Sequence, residues 1–208
     1  MGIITEPMII TGDFIKHFSK IFPEAAGLQP WQITSALHQI ISEKILSLDE
    51  SFIRKNGIAI HKTAVVESGA VLKAPVIIGV NCFVAANVCL RGGVYLGANV
   101  KIGMGCEIKN SIIFNDSAVA HFNFIGDSII GNNVNFEAGS VIANHFNERA
   151  DKRITLFYNG DTINTNAEKF GALVGDNSKI GANAVLSPAT ILKPNSIVKR
   201  LQLIDQQK

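Results

Sequence analysis

The sequence predicts an all-β solenoid, a parallel β-helix of hexapeptide repeats, preceded by a helical segment. Three observations carry that prediction. From Ile60 an apolar residue recurs every six positions, through Val66, Leu72, Ile78, Val84, Leu90, Leu96, Ile102, Ile108, Phe114 and Ala120. A small or β-branched residue fills the fifth position of the repeats, as at Ala64, Ala70, Val76, Cys82, Val88, Val94, Val100 and Cys106. The beat returns at Val174, Ile180, Leu186, Leu192 and Val198 after a long polar interruption. Three hexads make one triangular coil of about 18 residues, with an apolar side chain turned inward from each short strand. An antiparallel sheet alternates every two residues and would not hold a six-residue beat over such a run.

Residues 1–59 lack the beat and form the N-terminal helical segment. DFIKHFSKIF reads as a short amphipathic helix. PWQITSALHQIISEKILSLDESFI reads as a longer one, opened by Pro30 in the first turn, where its missing N–H removes no helical bond. Ile33, Leu37, Ile40, Ile41, Ile45 and Leu48 form an apolar stripe, expected to cover the open end of the solenoid, whose last coil otherwise exposes its edge. The solenoid domain spans 60–208, with Gly or Asn near the corners to supply positive φ. Inside it, 144–172 breaks the rhythm with NHFNERADKRITLFYNGDTINTNAEKFGA. A loop this long in a compact solenoid is usually functional, and it is expected to lie against a substrate groove.

Composition narrows the function. Of 208 residues, 47% are hydrophobic and 17% charged, which suits a packed core. The net charge is +2, with no basic stripe or charge run, so no nucleic acid partner is indicated and any bound anion should be small. Cys82, Cys89 and Cys106 lack a CxxC spacing and read as small core residues. The start, MGIITEPMII, lacks the basic and long apolar parts of a secretory signal, and no stretch approaches the ~18 apolar residues of a membrane span. A cytoplasmic protein is expected.

The candidate chemistry lies where the rhythm stumbles, at VAHFNFIGDSIIGNN, with the beats at Ile125 and Ile130 each one residue early. His121 sits inside the first short step, and imidazole is the side chain best suited to accept a proton near neutral pH. Arg91, Lys109, Asn135, Asn144 and His145 are the other polar residues in nearby turns. Arg91 and Lys109 are three hexads apart, so they stack one coil above the other, and two cations ~4.8 Å apart repel unless an anion is shared. No Ser-His-Asp or Cys-His grouping is evident, and the histidines show neither HxH nor HExxH spacing, so no metal site is expected.

The stretch RGGVYLGANVKIGMGCEIKNSIIFNDSAVAHFNFIGDSIIGNNVNFEAGSVIANH resembles the left-handed β-helix acetyltransferase domain of the bifunctional N-acetylglucosamine-1-phosphate uridylyltransferase and glucosamine-1-phosphate acetyltransferase family. KFGALVGDNSKIGANAVLSPATIL and the PWQI helix entry look more like the archaeal branch. The resemblance implies an acetyl-CoA-dependent acyltransferase for an amino sugar or sugar phosphate, working as a homotrimer with sites between subunits. It implies that His121, in HFNFIGD, is the general base and that Asn144 assists at the reacting amine. It further implies that Arg91, Lys109, Phe124, Asn135, His145 and, more loosely, Lys152 contact the sugar or its phosphate, with the acyl donor passing Ala138. Phe124 stands where the family has tyrosine, and NFEAG with its Glu137 replaces NIGAG. The family's nucleotidyltransferase domain has no counterpart in residues 1–59, so pyrophosphorylase activity is expected to be missing. Two rival readings are a sugar-nucleotide-binding or assembly solenoid with a decayed site, and a zinc-dependent hydratase of another hexapeptide branch, for which the histidine spacing is wrong.

Overall fold

The computed structural model describes residues 8–206; the opening MGIITEP, part of the stretch read for a secretory signal, lies outside them. A 3₁₀ turn at Thr11–Asp13 leads into helix α1, Phe18–Ile21, and a second 3₁₀ turn at Pro23–Ala25. DFIKHFSKIF is therefore not one helix, because His17 adopts a left-handed φ of 67° in its middle. Helix α2 spans Pro30–Leu46 and starts in a reciprocal capping box, in which the Gln29 N–H donates to Gln32 Oε1 at 2.8 Å. Its stripe Ile33, Leu37, Ile40, Ile41 and Ile45 is buried. Among the described residues no helix is long and apolar enough to cross a membrane.

From Ile58 the chain winds into a left-handed parallel β-helix with three faces. The first stacks Val71–Leu72 on the start of Cys89–Leu96, the start of Glu107–Ile113, Phe124–Gly126, Val141–Ile142, Val185–Leu186 and Leu203–Ile204. The second stacks Ile58–His61, Val76–Ile78, the later halves of the two long strands, Ile129–Ile130, Ala172–Val174 and Thr190–Leu192. The third is a seven-stranded parallel sheet running from Val65–Val66 to Ile197–Val198. Inward side chains such as Leu90, Ile108, Ile125 and Ile142 make one continuous core. Cys82 and Cys106 belong to it, and burial pushes the Cys82 thiol up to about 11. Cys89 does not; it points outward from the first face, half-buried.

The helices lie along a flank of the solenoid instead of covering its end. Phe18 and Phe22 pack their rings against Phe114, Phe22 also meets Tyr95 edge-on, and a second apolar cluster runs outside the second face from Ile77 to Ile191. The first coil is edged by Phe52–Lys55, paired antiparallel with Ile58–His61. The interrupting loop joins the same flank. Its strands Thr155–Tyr158 and Asp161–Asn164 form an antiparallel hairpin, and Ile154, Leu156, Ile163 and Phe170 are buried with the helices.

The register moves one of the two missed beats: the short step from Ile125 to Ile130 stands as read, and the other falls earlier in the chain. The inward residues after Ile108 are Ile113, Val119, Ile125 and Ile130, so the short steps fall at Lys109–Ser111 and Gly126–Ser128 and not beside His121. Phe114, read as an inward beat, is buried outside the coil against the helices. Arg91 still pairs with Lys109, 18 residues on, but Val94 pairs with Ser111 and Gly126 with Lys109, 17 residues apart. The missing residue comes out of one corner, where Gly92–Gly93 in one coil gives way to Asn110 alone in the next. Serines repair the shortened ladder. Ser111 Oγ donates to Lys109 O at 2.7 Å and accepts from Ser128 N at 3.0 Å, and Ser128 Oγ does the same with Gly126 O and Ala172 N.

Candidate functional site

The shortened corner between the first and second faces carries the chemistry. Asn110 and Asp127 sit there in successive coils with φ of 48° and 47°, a conformation Asn and Asp tolerate. In the next coil the chain leaves the solenoid at Asn144, and the loop returns at Phe170, whose N–H donates to Asn144 O at 3.0 Å. Trp31 of α2 packs edge-on to the Phe170 ring, which ties helix, loop and corner together.

Beside this corner lies an open hollow lined by Arg91, Lys109, Phe124, Asn144, His145, Lys152, Glu168 and Lys169. Six residues expected in the site thus come together, two from the interrupting loop's first turns and four from the solenoid or its edge. Arg91 and Lys109 do stack as their spacing requires, yet each has its own carboxylate. Arg91 Nη2 lies 2.5 Å from Glu107 Oε1, and Lys109 Nζ lies 2.8 Å from Asp127 Oδ2. Their mutual repulsion is relieved without a shared anion. Lys152 is exposed and makes no bond or ion pair among the described residues.

His121, Asn135 and Ala138 do not line that hollow. His121 and Ala138 occupy the corner between the third and first faces, at the far edge of the first face from Lys109. His121 is exposed, and a Cβ on Gly103 would stand 2.6 Å from the Ala120 carbonyl oxygen and 3.1 Å from the His121 Nδ1, so the glycine lets the coils approach closely beneath the ring. Next to it Phe122 holds φ at 57° while 68% exposed; a bulky residue there costs about 1–3 kcal/mol. Asn135 lies on the third face in a separate groove with Glu137, Lys179, Gly181, Lys199 and Arg200. In that groove Glu137 receives two bonds of 2.7 Å from Arg200 and one of 2.8 Å from the Ala182 N–H. The Arg200 bonds, with that N–H, hold its carboxyl below the usual range.

Residues 91–170 match the family described as the GMPPB C-terminal domain, and residues 165–188 match the hexapeptide repeat of succinyl-transferase. The chain is 31% identical over 185 residues to the "Bifunctional protein GlmU" of Methanococcus vannielii, covering 86% of this chain and 43% of that protein. It is 31% identical over 166 residues to a "Bifunctional sugar-1-phosphate nucleotidylyltransferase/acetyltransferase" of Sulfurisphaera tokodaii, covering 77% and 41%. Against GlmU of Buchnera aphidicola the identity is 35% over 121 residues, covering 58% and 22%. Over most of its length the chain is therefore similar to hexapeptide-repeat left-handed β-helix proteins of the GlmU branch. It spans less than half the length of these relatives.

In this β-helix the residues that sequence reasoning passed over are the carboxylates. Glu107 and Asp127 neutralise the two stacked cations, and Glu168 and Lys169 bring further charge from the returning end of the loop. Asp127 had a signal: it is the charged residue inside the second short step, in the FIGDS stretch. Glu107 had none, since an outward carboxylate on a solenoid face looks like any solvated charge.

Proposed function

We propose that the protein transfers an acyl group, acetyl from acetyl-CoA, to the amine of an amino sugar or amino-sugar 1-phosphate; nucleotidyl transfer is assigned to none of these residues. The observation that carries the reading is the convergence of Arg91, Lys109, Phe124, Asn144, His145 and Lys152 on one hollow, from segments far apart in sequence. Such a hollow offers cations for a phosphate, a ring for a sugar face and polar groups for an amine. His121 takes the proton from the amine as the nitrogen attacks the thioester carbonyl, and returns it to the departing thiolate. The Ala138 N–H, without a partner among the described residues, is free to steady the oxyanion. Asn144 orients the amine.

His121 and the hollow lie at opposite edges of one face, and Asn135 lies on another face. This separation supports a working homotrimer, in which the His121 corner and third-face groove of one chain complete the hollow of the next. The exposed, strained Phe122 beside His121 fits burial at such a contact. Acetyl transfer from labelled acetyl-CoA to glucosamine 1-phosphate, run beside a mass measurement in solution, tests both parts. A monomer that transfers acetyl would remove the intersubunit site, and a trimer without transfer to phosphorylated or free amino sugars would remove the enzyme reading.

Glu137 favours a second reading, a non-catalytic sugar-nucleotide-binding or assembly solenoid. Its carboxylate already takes the Ala182 N–H and Arg200 in the groove beside Ala138, groups that an acyl donor would otherwise use. Phe124, which brings no hydroxyl to the hollow, points the same way. Binding of glucosamine 1-phosphate without any affinity for acetyl-CoA would select this reading.

A further inference from the structure

Asp127 is a buried carboxylate that the acyl-transfer scheme leaves without a task. It is 5% exposed, and its contacts are specific. Oδ1 accepts from Asn110 Nδ2 at 2.8 Å; Oδ2 accepts from Lys109 Nζ at 2.8 Å and also from Asn144 Nδ2. Its backbone is held as well, since its N–H donates to Lys109 O and its carbonyl accepts from the Gly171 N–H, both at 2.9 Å. Asn110 in turn donates to Thr34 O of α2 at 2.8 Å, so the helix packs directly on this arrangement. A side chain at residue 126 would crowd it: a Cβ on Gly126 would lie 3.0 Å from Asn144 Nδ2.

An ionised carboxylate only accepts hydrogen bonds, so the end of the Asn144 amide that faces Asp127 must be the NH₂. The carbonyl Oδ1 is then turned the other way, towards His145 Nδ1 at 3.2 Å and the hollow that both residues line. Without the carboxylate the amide could turn over and offer a donor at the same place. We infer that Asp127 is a positioning residue that fixes the Asn144 amide with its carbonyl oxygen towards the ligand, making the site selective for a ligand that presents an N–H donor there. The inference rests on the amino-sugar reading of the hollow and deepens it: discrimination between amine and hydroxyl at the reacting position is set one coil away from Asn144. Lys109 shares the same carboxylate oxygen, which keeps a positive charge from repelling an ammonium group brought to Asn144.

The test compares wild type, Asp127→Asn, Asn144→Ala and the double variant. Each is titrated calorimetrically with glucosamine 1-phosphate and with glucose 1-phosphate. Asp127→Asn is close in shape, and a matching melting temperature shows that the corner is intact. Wild type is expected to prefer the amino sugar by ~10-fold, the scale of one hydrogen bond to a charged group. In Asp127→Asn the preference should shrink to ~2-fold or less, and adding Asn144→Ala should change it no further, because both substitutions remove one coupled function. A preference that survives Asp127→Asn, equal losses for both sugars, or effects that multiply in the double variant would each overturn the inference. If wild type shows the preference but transfers no acetyl, the enzyme reading fails while this inference stands. If it transfers acetyl and Asp127→Asn keeps the preference, the reverse holds. Failure of wild type to bind either sugar overturns both.

Discussion

The Gly139 N–H donates to the His121 carbonyl at 2.9 Å, which sets His121 one coil directly above Ala138. Asn123 Nδ2 holds the same carbonyl at 3.2 Å, so the backbone under the imidazole is pinned from both the next coil and its own turn. The imidazole itself is free to meet a ligand. His121→Ala is therefore expected to leave the assembly and acetyl-CoA binding unchanged while lowering acetyl transfer by ~10²–10⁴-fold, the range for a general base. Sedimentation and a radiochemical assay on the same preparations check this. Undiminished transfer would move attention to His145.

The cations of the hollow should not count equally. Lys109 is already paired with Asp127, whereas Lys152 is unpaired among the described residues. Lys152→Met should weaken binding of glucosamine 1-phosphate by roughly 1.5–3 kcal/mol and leave free glucosamine little affected. Lys109→Met should cost less, because its charge is shared with a carboxylate before ligand arrives. Titration of the two variants with both sugars gives the ranking, and equal losses for phosphorylated and free sugar would mean that neither lysine reads phosphate.

Glu137 supplies a pH dependence. Its carboxyl is lowered from the ordinary 4.5, first by the bonds from Arg200 and then by the Ala182 N–H. A group depressed in the folded state contributes stability above its unfolded value and loses it as pH falls through the folded value. Glu137→Gln should therefore melt below wild type at about pH 6, and the gap should close towards about pH 3. Thermal scans at the two pH values suffice, and a gap that widens in acid would contradict the pairing.

Phe114 is the hinge of the packing between solenoid and helices. It is fully buried, with the rings of Phe18, Phe22 and Tyr95 around it. Phe114→Ala is expected to cost about 3–5 kcal/mol of stability, the range for deleting a buried aromatic. Urea unfolding measures it. A loss under about 1 kcal/mol would mean that the helices contribute little to holding the coil.

The six-residue beat was legible because the interior positions up to Cys106 are apolar without exception. It became misleading where those positions turn to Ser111, Ser117, Asn123 and Ser128, residues buried through bonds to the backbone and invisible to a search for hydrophobic spacing. Phe114 then offered itself as the next beat. Ile33, Leu37 and Ile41 declared that α2 buries one side, but an end coil and a flank ask for the same apolar stripe, so the docking place could not be read. In the hollow, Arg91, Lys109, Asn144 and His145 stood out as polar residues in turns near an irregularity. Asp127 acquires its meaning only when the short corner brings Lys109, Asn110 and Asn144 around it, a contact set by register and not by spacing.

Lateral docking of the helices changes how a stack of coils unfolds. In a simple solenoid each repeat touches only its neighbours, so the ends can fray and partly unwound forms are populated. Here Lys16 N donates to Asp176 Oδ2 at 2.9 Å across 160 residues of sequence, Asp176 N returns a bond to Phe14 O at 3.0 Å, and Asp176 Oδ1 accepts from Asn132 N at 2.7 Å. One carboxylate thus laces the first described segment to two successive coils near the other end of the chain. The molecule should melt in a single all-or-none step, like a globular domain, and not repeat by repeat.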